Sequence, residues 1–268
     1  MMDSLKNKTI LITGSNGLIG KNLIYALKES ISNIISFDIA YKDSSVLEEF
    51  DKKLNYENIQ YLDCDLLDEE ELEKSIASGY KKFESIDGLV NCAAIDSIPN
   101  NSESNQFENL DISEFKKVLD VNLTGQIICT KFVCSLMKNN SIKGSIVNIG
   151  SIYGKVSPQQ SIYDHINTDQ GPYKKPLVYG VSKSALINAT KYLSTYWGSS
   201  GIRVNNIILG GISNEQDQKF IDSYSKNVPL GRMAHVDECI PPILFLLSEE
   251  SSYITGSDLT VDGGWTAW

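Results

Sequence analysis

The sequence predicts an α/β fold in which a doubly wound, mostly parallel sheet carries helices on both faces. Short apolar, β-branched runs alternate with segments whose apolar residues recur at helical spacing. The first run leads directly into a glycine-rich turn and a helix. No internal repeat or linker marks a second domain, so residues 1–268 are expected to form a single domain.

The predicted elements alternate along the whole chain. Strands are predicted at residues 8–13, 34–37, 59–62, 86–90, 144–149, 202–209 and 259–261. Helices are predicted from Leu23, at residues 68–77 and 113–137, from Tyr179 to before Gly201, and at residues 215–227 and 236–248. The polar stretches 96–110 and 154–178 predict loops.

Composition limits the partners that the protein is expected to bind. A net charge of -10 argues against non-specific binding to nucleic acid or to an anionic membrane surface. The N-terminal residues lack the apolar segment of a signal peptide, and the apolar stretch 240–247 is too short to span a bilayer. Five cysteines without a Cys-x-x-Cys pair, and two histidines, fit neither a disulfide framework nor a zinc site. We therefore expect a cytoplasmic protein without a bound metal.

The turn from Thr13 to Gly20 is a candidate phosphate site. Its glycines follow the spacing Gly-x-x-Gly-x-x-Gly where the first predicted strand meets the first helix. Glycines there permit close approach of the backbone to a phosphate at the positive end of the helix, as in Rossmann-type dinucleotide sites. A glycine-rich turn without a ligand is the alternative. The predicted cofactor contacts in this turn are Gly14, Asn16, Gly17, Leu18 and Ile19.

Asp38 ends the second predicted strand. An acidic side chain at this place accepts hydrogen bonds from the adenosine ribose hydroxyls, which favours NAD over NADP. An aspartate that only stabilises a turn is the alternative. Lys42 is close enough in sequence to leave NADP open as a cofactor.

Tyr179 and Lys183 form a candidate catalytic pair. They lie four residues apart, so on a helix they share one face. A tyrosine hydroxyl has an ordinary pKa of about 10, and an adjacent ammonium lowers that pKa because it favours the phenolate. The pair therefore predicts proton transfer to or from an alcohol. A single Tyr-x-x-x-Lys match arises easily by chance, so its weight depends on the other motifs.

Together the motifs resemble the classical short-chain dehydrogenase/reductase family. The resemblance covers essentially the whole chain and keeps the family's order of motifs. The residues that carry it are Thr13 to Gly20, Asp65, Asn91-Cys92-Ala93-Ala94, Asn122, Ser151, Tyr179 with Lys183, and Val261-Asp262-Gly263-Gly264.

The resemblance implies four catalytic residues. Ser151 would hydrogen-bond the substrate oxygen, and Tyr179 would be the general acid/base. Lys183 would bind the nicotinamide ribose and lower the pKa of Tyr179, while Asn122 would hold a water that relays protons to Lys183. Taken singly, Asn122 also fits a turn or capping residue and Ser151 a loop serine.

Further cofactor contacts are implied by the same resemblance. Asp65 would meet the adenine ring, and Asn91 with Ala93 would line the adenosine side of the cleft. The predicted contacts are completed by Leu66, Tyr179, Lys183 and Ile212.

Parts of the sequence depart from the family pattern. The glycine spacing resembles the extended branch of sugar-nucleotide epimerases and dehydratases, whereas the length and the ending Val261 to Gly264 resemble the classical branch. Leu209-Gly210-Gly211 replaces the usual Pro-Gly, which predicts a differently placed loop over nicotinamide. Residues 229–233 and 264–268 resemble dehydrogenases of bacterial surface-sugar and flagellin-modification pathways.

The resemblance implies an NAD-dependent enzyme that interconverts a secondary alcohol and a ketone on a polar, sugar-type small molecule, as a homodimer or homotetramer. An epimerase or dehydratase that retains NAD is an alternative within enzymes. An inactive cofactor-binding regulatory protein is an alternative of another class, which the complete set of catalytic residues disfavours. An enoyl reductase is disfavoured because that branch places its lysine further from the tyrosine.

Residues 154–178 separate two predicted catalytic residues and are interpreted as a substrate-loop insertion. The segment contains Lys155, Lys174 and Lys175 in a chain of negative net charge. Long loops in compact domains often serve as lids. We therefore hypothesise a lid over an anionic substrate such as a phosphorylated or nucleotide-linked sugar. An oligomer contact or a solvated surface loop is the alternative.

Overall fold

The computed structural model describes residues 2–96, 106–168 and 171–268. Its strands are β1 (Thr9–Thr13), β2 (Asn33–Phe37), β3 (Ile59–Leu62), β4 (Gly88–Asn91), β5 (Ser145–Ser151), β6 (Asn167–Thr168), β7 (Gly171–Pro172), β8 (Arg203–Leu209) and β9 (Asp258–Val261). Its α-helices are α1 (Met2–Leu5), α2 (Leu18–Glu29), α3 (Ser44–Leu54), α4 (Glu69–Phe83), α5 (Ile112–Leu119), α6 (Gln126–Asn139), α7 (Leu177–Trp197), α8 (Gln218–Ser225) and α9 (Val236–Leu247).

The main sheet has the strand order β3-β2-β1-β4-β5-β8-β9, and all neighbouring strands are parallel. Alternate residues of each strand enter opposite layers, as the two-residue period of a strand requires. Ile10 and Ile12 of β1 pack with α2, α3 and α9, whereas Leu11 packs with α4 and α6. The prediction of a doubly wound α/β sheet is therefore confirmed.

Two helical features differ from the prediction. Helix α3 was not expected from the sequence, and it begins after Asp43, whose carboxylate accepts the Ser45 N–H. The predicted helix over residues 113–137 is divided, because a π-helical segment, Asp120–Gly125, lies between α5 and α6. Such segments often occur at functional sites.

The predicted loop 154–178 has more structure than its polar composition indicates. It contains a 3-10 turn, Gln160–Tyr163, and the antiparallel hairpin β6–β7, and α7 begins at Leu177. Ile162, Tyr163 and Tyr173 are buried in a third apolar cluster beside α8. Residues 169 and 170, and residues 97–105 of the other predicted loop, lie outside the described residues. None of the helices in the described ranges is long and apolar enough to cross a membrane.

Candidate active site

The strand order places a crevice at one edge of the sheet. From β1 the chain builds outward through β2 and β3, and it then returns to β4 on the opposite side of β1. In sheets of this kind the ligand crevice lies outside the carboxyl ends of the strands where the order reverses. The glycine turn follows β1, Ala93 follows β4, and Ser151 ends β5, so these predicted site residues lie at the same edge.

The glycine turn packs against the end of β4 at backbone distance. Gly14 has a φ of +63°, and a Cβ at this position would lie 2.5 Å from the Cα of Ala93. A Cβ on Gly20 would lie 2.6 Å from the carbonyl oxygen of Gly14. Helix α2 then begins at Leu18, and its N-cap Gly17 supplies no side-chain acceptor that competes for the first N–H groups. The turn therefore fits a dinucleotide phosphate.

Three buried hydroxyl groups connect this turn to the end of β2 by hydrogen bonds. Ser15 donates a hydrogen bond to the carbonyl oxygen of Phe37, at 3.0 Å. The hydroxyls of Ser15, Ser36 and Tyr41 lie 2.8 to 3.0 Å from one another. The cluster ties the glycine turn to β2 and was not predicted, because three hydroxyl residues spread over 26 positions carry no sequence motif.

Asp38 also fixes the glycine turn. Its carboxylate accepts the Asn16 N–H at 2.8 Å and the Ala40 N–H at 2.9 Å, so it caps the following 3-10 turn, Ile39–Lys42. Carboxylate oxygens have further lone pairs, which ribose hydroxyls can use. In the described part of the chain, the buried side-chain oxygen of Asn16 has no hydrogen-bond partner. This orphaned acceptor beside Asp38 fits a ligand that carries hydroxyl groups.

The side-chain nitrogen of Asn91 is used inside the protein, whereas its side-chain oxygen has no hydrogen-bond partner among the described residues. Its side-chain amide donates to the Thr130 hydroxyl at 2.9 Å and to the Asn148 side-chain oxygen at 2.8 Å. Asn148 in turn donates to the Thr190 hydroxyl at 2.8 Å. This buried polar chain connects α6 through β4 and β5 to α7, so it aligns the strand ends on which the site is built.

The remaining predicted cofactor contacts lie around the crevice. Asp65 is exposed after β3 and accepts the Leu67 N–H at 3.0 Å, whereas Leu66 is buried against the π-helical segment at Gly125. The carbonyl oxygen of Ile212 accepts a hydrogen bond from Gln216, at 2.9 Å.

The aromatic side chain of Tyr224 explains why glycine stands at position 211, directly before Ile212. The Gly211 N–H donates to the Tyr224 hydroxyl, and a Cβ on Gly211 would lie 2.7 Å from Cζ of Tyr224. Trp265 stacks on the Tyr224 ring with 4.4 Å between centroids. The close approach of Tyr224 therefore requires glycine at position 211.

Ser151, Tyr179 and Lys183 come together at the carboxyl ends of the strands. The Ser151 side chain lies close enough to Tyr179 to favour its phenolate form, which works against the rise in its pKa. Lys183 lies one helical turn after Tyr179 on α7, is buried, and donates through Nζ to the carbonyl oxygen of Ile149 at 2.7 Å. Its Nζ lies 5.8 Å from the centroid of the Tyr179 ring.

Burial changes the pKa values of Tyr179 and Lys183 in this cluster. The pKa of Tyr179 is raised, first by burial and then by the negative charge of Asp96, although the nearby Ser151 side chain opposes the change. The pKa of Lys183 is lowered to about 8, chiefly by burial, against the opposing influence of Cys92 and Asp96. Burial of the phenolate therefore dominates the acidity of Tyr179 in this structure, and a lowering of its pKa by Lys183 stays a prediction.

Asn122 lies in the π-helical segment and is fully buried. Its side chain accepts the Ile95 N–H at 2.7 Å and donates to the Ile95 carbonyl at 3.0 Å and to the Ser182 hydroxyl at 3.2 Å. These bonds fix the chain after β4 against α7. Both side-chain N–H groups of Asn122 are used in these bonds, and a role of Asn122 in proton relay stays a prediction.

Two charged residues lie beside Tyr179: Asp96, which was not predicted as a site residue, and Lys175, which was predicted only as part of the lid. Asp96 forms an ion pair with Lys175, and Nζ of Lys175 lies 4.9 Å from the centroid of the Tyr179 ring. Tyr153 also contacts this ring edge-to-face, with 6.5 Å between centroids, and its hydroxyl lies 3.1 Å from that of Tyr163. Asp96 lies shortly after the Asn91–Ala94 motif, which is the only sequence signal that indicates its position.

The sheet, the glycine turn at its switch point and the Ser151–Tyr179–Lys183 cluster together define a nucleotide-dependent oxidoreductase that acts on alcohol groups. A family model described as enoyl-(acyl carrier protein) reductase matches residues 15–266. The chain belongs to the short-chain dehydrogenase/reductase family, whose members use NAD(P). The predictions of the family, of the enzyme class and of the cofactor class are confirmed.

Similar proteins have related descriptions. The 2,5-dichloro-2,5-cyclohexadiene-1,4-diol dehydrogenase of Sphingobium indicum is 28% identical over 99% of this chain and 100% of its own length. The post-translational flagellin modification protein A of Campylobacter coli is 28% identical over 97% of this chain and 99% of its own. A short-chain dehydrogenase from Leptospira borgpetersenii, crystallised with bound NAD+, is 31% identical over 99% of this chain and 95% of its own, with a TM-score of 0.84.

Proposed function

We propose that the protein interconverts a secondary alcohol and a ketone on a polar, hydroxyl-rich sugar-type substrate, in a surface-glycan or flagellin-modification pathway. The observation that carries the proposal is the cluster of Ser151, Tyr179 and Lys183 beside the glycine turn. The flagellin modification protein and the diol dehydrogenase, both similar over nearly the whole chain, support the pathway and the substrate class.

The proposed chemistry assigns one task to each residue of the cluster. During oxidation the Tyr179 phenolate takes the proton of the alcohol and becomes the hydroxyl, and during reduction the Tyr179 hydroxyl gives that proton to the ketone oxygen. The Ser151 hydroxyl hydrogen-bonds the same substrate oxygen and holds it next to Tyr179. The Lys183 ammonium stabilises the phenolate that Tyr179 must form. When bound, NAD(P) supplies the group that accepts or returns the hydride.

The residues that would hold NAD(P) lie along the crevice. The glycine turn would hold the phosphates, and Asp38 with the orphaned oxygen of Asn16 would meet the ribose hydroxyls. A carboxylate at this place favours NAD, because a 2′-phosphate next to it would be repelled. Asp65, Leu66 and Ile212 are proposed to line the adenine and nicotinamide ends.

A homodimer or homotetramer is proposed as the active form. Tyr192 and Tyr196 on α7 are 64% and 59% exposed, and their rings stack with 6.1 Å between centroids. Two adjacent exposed aromatic rings on one helix face fit a contact with a second copy of the chain.

The proposed reaction is tested by NADH formation. Purified protein is supplied with NAD and a panel of free sugars, cyclitols and diols, and absorbance at the NADH band is followed with time. Stoichiometric NADH and ketone support the proposal. Conversion of a sugar nucleotide without net NADH would instead support the NAD-retaining epimerase or dehydratase that the glycine spacing indicates.

A further inference from the structure

The ion pair between Asp96 and Lys175 lies at the reacting end of the cleft. Lys175 places its ammonium 4.9 Å from the centroid of the Tyr179 ring. The charge of Asp96 acts on both Tyr179 and Lys183, so the carboxylate lies within electrostatic reach of the proton-transfer residues. A substrate whose oxygen binds at Tyr179 therefore presents its neighbouring substituents to this pair.

Lys175 is held in place by the insertion. The Lys175 N–H donates to the Gln160 side-chain oxygen at 2.9 Å, and the Gln160 amide donates back to the Lys175 carbonyl at 3.4 Å. The Lys175 side chain is only 9% exposed, whereas that of Asp96 is 54% exposed. The lysine is thus fixed among protein groups, and the carboxylate is the member of the pair that is open to a ligand.

The charges of the insertion are already balanced. Lys155 lies 3.9 Å from Asp258, and Lys174 lies 3.6 Å from Asp164. With Lys175 paired to Asp96, each of the three lysines that suggested an anionic substrate has a carboxylate partner. An anion entering the cleft would meet the exposed carboxylate of Asp96 and would be repelled.

We propose that Asp96 and Lys175 form a specificity element that binds a hydroxyl group next to the reacting carbinol and that disfavours phosphorylated or carboxylated substrates. Asp96 accepts a hydrogen bond from the substrate hydroxyl, and the largely buried Lys175 ammonium holds the carboxylate in the position that this bond needs. The inference rests on the proposed alcohol oxidation and narrows its substrates to neutral polyols. It replaces the hypothesis of a cationic lid over an anionic sugar.

The experiment compares two matched probe pairs in four variants. Trans-1,2-cyclohexanediol against cyclohexanol reports on the adjacent hydroxyl, and D-glucose against D-glucose 6-phosphate reports on negative charge. The test variants are Asp96→Asn and Lys175→Met. The controls are Asp164→Asn and Lys174→Met, which break the neighbouring ion pair of the same insertion. NAD binding is measured for every variant.

The wild-type enzyme is expected to prefer the diol over the mono-alcohol by about 10- to 100-fold in kcat/KM, the usual effect of a hydrogen bond to a charged group. Either test variant should reduce this preference to within about threefold, mainly through KM, while NAD affinity and the two controls stay unchanged. Asp96→Asn should also raise the efficiency with glucose 6-phosphate relative to glucose by roughly tenfold.

The two proposals fail in different ways. If the wild type oxidises these probes but the test variants keep the diol preference of the controls, the specificity element is wrong and the proposed function stands. A wild type that prefers glucose 6-phosphate over glucose also contradicts the specificity element. If the wild type oxidises no alcohol of either pair with NAD or NADP, the proposed function and the inference are both overturned.

Discussion

Replacement of Lys183 by methionine is expected to change how the stability of the protein depends on pH. Burial lowers the pKa of Lys183 to about 8 from its ordinary value of 10.5. The folded chain therefore binds this proton more weakly than the unfolded chain, which corresponds to a cost of roughly 3 kcal/mol. The cost is fully present below pH about 8 and is lost as the pH rises toward about 10.5.

The difference between the pKa values of Lys183 in the folded and unfolded chains gives the change in the free energy of unfolding between pH 7 and pH 9. Between pH 7 and pH 9 the free energy of unfolding of the wild type should rise by roughly 1.3 kcal/mol relative to that of Lys183→Met. Urea unfolding without added cofactor, followed by circular dichroism at pH 7, 8 and 9, measures this difference. Lys191→Met is the control, because Lys191 is an exposed lysine two turns further along the same helix, and its difference from the wild type should stay constant. A pH-independent difference for Lys183→Met, or a change of opposite sign, would refute the assignment of a buried, weakly basic Lys183.

Other predictions test the cofactor site and the assembly. Gly14→Ala should weaken NAD binding at least tenfold and lower the free energy of unfolding by roughly 2 kcal/mol, because φ at Gly14 is +63° and the new Cβ would lie 2.5 Å from Ala93. Isothermal titration and urea unfolding measure the two effects, and a variant that binds NAD normally contradicts the proposed phosphate turn. Asp38→Asn should raise kcat/KM with NADP relative to NAD by roughly tenfold, and an unchanged ratio would mean that Asp38 serves only as a cap. The double change of Tyr192 and Tyr196 to Ser should lower the molar mass in light scattering, and an unchanged mass would exclude this helix face as the subunit contact.

The fold was largely predictable because the buried strands are short, continuous apolar runs bounded by polar residues, a pattern that is typical of strands in a parallel sheet. All seven strands of the main sheet lie within two residues of the predicted bounds. Helix α3 was missed because its apolar residues are few and its surface is charged, so tertiary packing of Phe50 and Leu54 rather than local pattern decides its structure. The π-helical segment depends on the hydrogen bonds of Asn122 to residues distant in sequence, which no local pattern records.

The candidate site was predictable where the motifs are local. Tyr179 and Lys183 share one helix, and their common face follows from a spacing of four. The sign of the change in the pKa of Tyr179 was not predictable, because it depends on burial by elements far apart in the chain. The Asp96–Lys175 pair joins residues 79 positions apart, so only the folded chain brings the two charges together.

Asp38 and Asn91 illustrate a second limit of predicting ligand contacts from the sequence. Asp38 was predicted as a cofactor contact from its place at the end of the second strand, and Asn91 from the family pattern; the side chains of both form hydrogen bonds that hold the site together. Residues that build a binding site and residues that touch the ligand give the same motif in a sequence. Only the geometry shows that Asn91 uses its amide nitrogen inside the sheet, while Asp38 keeps further lone pairs after it accepts the Asn16 and Ala40 N–H groups.

The measurement that tests the central claim most directly is the turnover of Tyr179→Phe. The variant removes only the hydroxyl that the proposed reaction uses for proton transfer, and the half-buried ring keeps its contacts with Tyr153 and Lys175. With an alcohol that the wild type oxidises, NADH formation should fall by about 10²–10⁴ while NAD binding and the unfolding midpoint stay close to the wild-type values. A variant that folds, binds NAD and turns over at nearly the wild-type rate would contradict Tyr179 as the general acid/base.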